Sequence, residues 1–186
     1  MDLSLVTSAS SRLSELGPIM QIAFVLPEDE LHGAIDFWVR MGAGPFFWNE
    51  RTADIAYRGV PGKAHFAAIM GYWGKVQIEL ITQFDDAPSI YKEWLDEGRK
   101  DMNHICIIVA DMAEAKKRIA EVGGSIVQEN ILPGGEVIYA SMGEGPYIEV
   151  AKVPAYATAF SDMMERAAAE WDGVTEPLRA GGIVKA

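Results

Sequence analysis

The 186-residue chain holds one cysteine, three histidines and far less positive than negative charge, 16 Lys and Arg against 27 Asp and Glu. A single thiol cannot close an intramolecular disulfide, so cysteine usage points to a reducing, cytoplasmic setting. Cys106 lies in the apolar run Ile105-Cys106-Ile107-Ile108-Val109 and reads as a small buried hydrophobe. The net charge of −11 excludes the basic patch that nucleic acid requires. It leaves room for a small anion at a local cluster such as Arg58 and Lys63. No run approaches the roughly 20 apolar residues of a membrane helix. Residues 1–17 lack the basic and apolar regions of a leader. The expectation is a soluble protein with no membrane partner.

What the chain does have is a repeat, and an internal repeat constrains architecture before any local reading. The apolar stretch 19–26 predicts a buried strand stopped by Pro27. Residues 28–41 follow with helical spacing of Leu31, Ala34, Ile35, Trp38 and Val39, and Gly42-Ala43-Gly44-Pro45 ends that helix. Phe46-Phe47-Trp48 opens a second strand, residues 51–62 read as a loop, 65–70 as a third strand and 75–82 as a fourth. The same order returns after residue 101. Residues 102–110 form a strand, 112–122 a helix ended by Gly123-Gly124, and 125–128, 137–141 and 147–152 three more strands. The chain therefore divides into an arm (1–17), a βαβββ module (18–82), a connector (83–101) with a short helix near 89–97, a second βαβββ module (102–153), and a C-terminal helix with tail (154–186). That last helix, over 156–171, lies outside the repeat and is expected to cover a sheet edge or a subunit interface.

Each module carries a polar residue in its first strand and a carboxylate in its last: Gln21 and Glu79, then His104 and Glu149. Alternation puts Gln77, Glu79 and Ile81 on one face of their strand. A lone carboxylate buried in such an apolar run costs several kcal/mol unless paired, and Glu149 poses the same problem. A divalent cation would answer both. One imidazole, two carboxylates and an amide oxygen suit Zn²⁺, Ni²⁺, Co²⁺, Mn²⁺ or Fe²⁺.

The order of these elements and residues over 18–153 resembles the vicinal oxygen chelate superfamily, also called the glyoxalase/bleomycin-resistance/dioxygenase fold. The resemblance implies an α+β fold in which two βαβββ modules form a cupped, mostly antiparallel eight-stranded sheet. It implies a metal held by Gln21, Glu79, His104 and Glu149, with Glu79 and Glu149 as candidate catalytic bases. The set is similar to that of lactoylglutathione lyase and methylmalonyl-CoA epimerase. The metal is then expected to be Zn, Ni or Co, with Fe or Mn as alternatives. The expected activity is that of a lyase or isomerase (epimerase) acting through an enolate or enediolate on a small carbonyl compound or acyl thioester, in a homodimer. The rivals are an Fe²⁺ ring-cleaving dioxygenase, which in this superfamily uses two histidines, and a non-catalytic binder of small molecules. Glu50 is a second candidate base, His65 a candidate substrate contact and His32 a surface residue. The aromatic residues of the second to fourth strands, Phe46 to Trp73, suggest an apolar pocket.

Overall fold

A computed structural model describes residues 12–181. The first module contributes β1 (Gln21–Val25), α1 (Leu31–Arg40), β2 (Phe46–Tyr57), β3 (Val60–Trp73) and β4 (Val76–Gln83). After α2 (Ile90–Asp96) in the connector, the second contributes β5 (Met102–Ile108), α3 (Met112–Glu121), β6 (Ser125–Leu132), β7 (Gly135–Ser141) and β8 (Tyr147–Lys152). The chain finishes with α4 (Ala155–Glu170) and a short β9 (Leu178–Ala180). Both βαβββ modules are thus present, and they form one curved sheet with the C-terminal helix beside it.

The modules meet at an antiparallel seam, β1 against β5. From there the sheet runs β1-β4-β3-β2 on one side and β5-β8-β7-β6 on the other. The far edges also meet, because Ile55, Ala56 and Tyr57 of β2 pair with Asn130, Glu129 and Gln128 of β6. The cup is therefore closed into a ring at one end of β2. At the other end, Phe46–Trp48 pair with β9 in parallel. Among the described residues, 49–54 carry a strand on one edge only.

Three layers follow from strand alternation. α1 packs Leu31 and Ile35 on the outer face of the first module, with Ile69, Ile78 and Leu80. α3, capped by the Asp111 carboxylate accepting from Ala113 and Glu114 N–H, packs Ala115 and Ile119 on the outer face of the second. The inner face is filled by Val25, Phe66, Ile81, Val127, Tyr139 and Ala151, closed by Ile90, Tyr91 and Trp94 of α2. The connector helix is thus a plug. Ser89 caps it, and the buried Gln128 amide oxygen accepts from Ile90 N–H at 3.0 Å.

Three local expectations change. Residues 51–62 are a hairpin, with a turn of two residues, Arg58 (φ 49°) and Gly59 (φ 78°), as type I′ geometry requires. β3 consequently starts at Val60, and Gly71, Tyr72 and Trp73 belong to it. α4, expected at a sheet edge or a subunit interface, packs against the inner face of the sheet. It lies across inward-facing Phe47 and Tyr72, burying Met164 between them, and Tyr72 Oη meets Ser161 Oγ at 2.6 Å. The C-terminal segment is held by β2 through β9. The arm is described only from residue 12, where a 3₁₀ turn at Leu13–Glu15 packs near α3; residues 1–11 lie outside the described residues.

Candidate metal centre

The register of the seam builds the site. Ala23 of β1 stands opposite Glu79 of β4 on one side and His104 of β5 on the other. Glu149 of β8 stands beside Cys106, two residues along β5 from His104. Two modules thus bring Glu79, His104 and Glu149 to one patch of the inner face. Their ligand atoms lie within 4.8 Å of one another. His104 is fully buried, and Glu79 and Glu149 are each 8% exposed. Gln21, 5% exposed, shares the inward face of β1 with Ala23 and pairs with Gln77 and Cys106.

His104 Nε2 lies 2.8 Å from Glu149 Oε2 and 3.3 Å from Glu79 Oε2. It nevertheless aligns on neither oxygen well enough to hydrogen bond. Its other nitrogen, Nδ1, sits 2.9 Å from Asn103 Oδ1. An N–H at Nδ1 donated to that oxygen leaves the Nε2 lone pair aimed at two carboxylates. Such an arrangement is repulsive unless a positive charge stands between the three groups. Either Nε2 binds a proton or a cation sits there. Burial opposes charge on the imidazole, but hydrogen-bonding proximity to Glu149 and Glu79 and their charges prevail, and His104 is pushed up to about 9. The donor set and the orphaned nitrogen fit a divalent cation.

Asn103 reaches His104 because of a β-bulge. Ala23 pairs with His104 but Phe24 pairs with Met102, which leaves Asn103 as the extra residue of β5. Sequence reasoning missed Asn103; the one signal was a polar residue directly before a histidine in an apolar strand. Tyr139 adds a ring edge 5.2 Å from the His104 ring, and its hydroxyl meets that of Tyr91 at 2.9 Å. Burial and then the two glutamates keep the Cys106 thiol protonated, well above its ordinary range. The remaining candidates lie elsewhere. His65 is on the outer side of β3, since its neighbours Ala64 and Phe66 face in, and its Nε2 is 3.1 Å from Glu50 Oε1. It does not line the cup, and neither does Glu50. His32 is exposed on α1. Arg58 pairs with Glu93 and Lys63 with Asp54, so that basic pair is not a free anion site. Two surface grooves, one bordered by His32 and Trp48 and one by Tyr57 and Lys92, are lined by none of Glu79, His104 and Glu149.

Residues 20–141 match the family model described as Glyoxalase/Bleomycin resistance protein/Dioxygenase superfamily. The chain belongs to this superfamily. No curated protein matches the sequence. Among solved structures, the glyoxalase-superfamily fold is shared with methylmalonyl-CoA epimerase from Mycobacterium tuberculosis, at 16% identity and TM-score 0.54 over 76% of this chain and 91% of that one. It is shared also with a mutant 4-hydroxymandelate synthase from Streptomyces coelicolor, at 12% identity and TM-score 0.51 over 78% of this chain and 51% of that one. These likenesses establish the fold of this superfamily member. Among its described residues no helix is long and apolar enough to cross a membrane.

Proposed function

We propose that this protein is a cytoplasmic, homodimeric, metal-dependent lyase or isomerase (epimerase) of the glyoxalase type. It moves a proton on the carbon next to a carbonyl of a small carbonyl compound or acyl thioester. The observation that carries the reading is the buried His104 Nε2, facing two carboxylates with no hydrogen bond of its own. Gln21, Glu79, His104 and Glu149 would hold the ion, with Zn, Ni or Co favoured by one imidazole and oxygen donors. A divalent cation held there would supply Lewis acidity that acidifies the C–H next to the carbonyl.

The chain's own residues do the rest. Glu79 and Glu149 approach the site from different modules, and either carboxylate can take the proton from carbon and return it. When the proton leaves, the C–H electron pair moves onto the carbonyl oxygen as an enolate. Delivery of a proton to the opposite face by the other carboxylate gives the epimer, and return by the same carboxylate to the next carbon gives the isomer. Asn103 holds the His104 ring and fixes its tautomer. The aromatic lining of Tyr91, Tyr139 and Phe66 excludes water, so the charge that develops on oxygen is poorly screened and responds strongly to nearby charge. For a homodimer, α1 and β3 offer a half-exposed apolar patch of Phe37, Met41 and Trp73 around Trp38.

The position of the histidines favours this chemistry over ring cleavage with iron. His32 and His65 both lie outside the cup, so His104 has no second histidine beside it. The test is solvent exchange. Metal-loaded protein is incubated in D₂O with 2-hydroxy and 2-oxo acids, hemithioacetals and branched acyl thioesters, and α-deuterium is read by NMR. We expect incorporation that Glu149→Gln or Glu79→Gln abolishes. Turnover of a substrate with both variants fully active would sink the mechanism.

A further inference from the structure

Arg51 is the one basic residue that points into the cup from β2. Its register partner is Phe66, an inward residue of the filled interior. The guanidinium carbon stands 5.0 Å above the Phe66 ring, and Phe66 in turn packs 5.2 Å from Tyr91. Among the described residues the buried Nε of the half-buried Arg51 has no acceptor, and the side chain pairs with no carboxylate. The other basic residues of this hairpin, Arg58 and Lys63, both have acidic partners. A buried guanidinium N–H without an acceptor is expensive, and such groups are normally satisfied by something.

The surroundings say what that something is. Phe66, beneath Arg51, packs on Tyr91, whose hydroxyl meets that of Tyr139 at 2.9 Å, and Tyr139 in turn packs on the His104 ring beside Glu79 and Glu149. One interior therefore holds both. Two glutamates neutralise a dication, which leaves the charge of Arg51 unbalanced. Arg51 also sits on the stretch 49–54 of β2 that has one strand edge uncovered among the described residues. A planar fork of donors over an aromatic face matches a carboxylate, which can accept from Nε and a terminal nitrogen together.

We propose that Arg51 anchors a substrate carboxylate, so that the substrate carries a carboxylate at one end and the carbonyl that engages the Glu79–His104–Glu149 end of the cup at the other. This rests on the functional reading above, since it assigns the second end of the same substrate. The length of the spacer between the two ends is what the experiment reads.

Binding is measured by calorimetry with a ladder of ω-carboxy hydroxamates, succinyl, adipyl and suberyl, against their ω-carboxamide counterparts. Each is titrated into Co²⁺-loaded and metal-free protein, using wild type, Arg51→Gln and Arg51→Lys. The hydroxamate reports chelation and the ω-group reports Arg51. In wild type at least one chain length should favour carboxylate over amide by about tenfold to a hundredfold. Arg51→Gln should abolish that ratio while leaving the amide series unchanged, and Arg51→Lys should keep part of it, which separates lost charge from misfolding. A ratio near one at every length, or a ratio that survives in Arg51→Gln, overturns the assignment. The functional reading fails separately, if Co²⁺ adds nothing to the affinity of either series. A carboxylate preference in metal-free protein that needs Arg51 would then still uphold the anchor. Absence of binding by every probe to both forms overturns both.

Discussion

Titrating the metal-free protein with Zn²⁺ at several pH values tests the site through its most perturbed group. Asn103 occupies Nδ1 of His104, so the proton that the two glutamates stabilise resides on Nε2, the lone pair a cation needs. With His104 pushed up to about 9, a metal entering at about pH 7 must evict a proton. Two pH units at about 1.4 kcal/mol each amount to about 3 kcal/mol, or a hundredfold in affinity. Apparent affinity should therefore climb about tenfold per unit from pH 7 to 9 and then level off. Calorimetry in buffers of different ionisation enthalpy should find close to one proton released per Zn²⁺ at pH 7. The linked stability has the opposite slope. The folded pKa lies above the unfolded value of about 6.5, so the contribution is complete below about pH 6.5 and is lost as pH rises through about 9. The melting temperature of metal-free protein should fall across that window, while the contribution of His104 to that fall should vanish on metal loading. Zn²⁺ affinity that is flat from pH 7 to 9, with no proton release, would refute the reasoning.

His104→Ala and Glu149→Gln should each lower bound metal, read by elemental analysis of dialysed protein, to a small fraction of the wild-type content, with the far-UV dichroism retained; unchanged occupancy in both would remove the ligand assignment. Deuterium incorporation should track metal content across these variants. Trp94 fills the mouth of the cup beneath the Arg99 guanidinium, which stacks 3.3 Å from its ring centroid. Trp94→Ala should cost about 3–5 kcal/mol by denaturant unfolding, and a loss under 1 kcal/mol would mean that the plug adds little to the packing of the interior.

Much of this was legible in the sequence because the repeat fixes strand order and alternation fixes faces. Glu79 between Ile78 and Leu80, and Glu149 between Ile148 and Val150, declare their face once the strands are assigned. The hairpin at residues 51–62 was not legible. Thr52 and Asp54 alternate with Ala53 and Ile55 in a polar-apolar pattern, but Tyr57-Arg58-Gly59-Val60-Pro61-Gly62 offers more turn residues than the two-residue turn uses. Reading a loop there also concealed Arg51, whose direction depends on β2 continuing to Tyr57. The β2–β6 closure and the β2–β9 pairing join residues more than 70 positions apart, and no local pattern announces them. Asn103 is visible only through a slip of one residue in register.

The seam between β1 and β5 has a consequence for stoichiometry. Gln21 and Glu79 come from one module, His104 and Glu149 from the other, and both modules belong to the same chain. All four proposed ligands therefore lie on a single chain. Metal content should then scale with chains rather than with assemblies, and dilution that separates a dimer should leave every binding site whole.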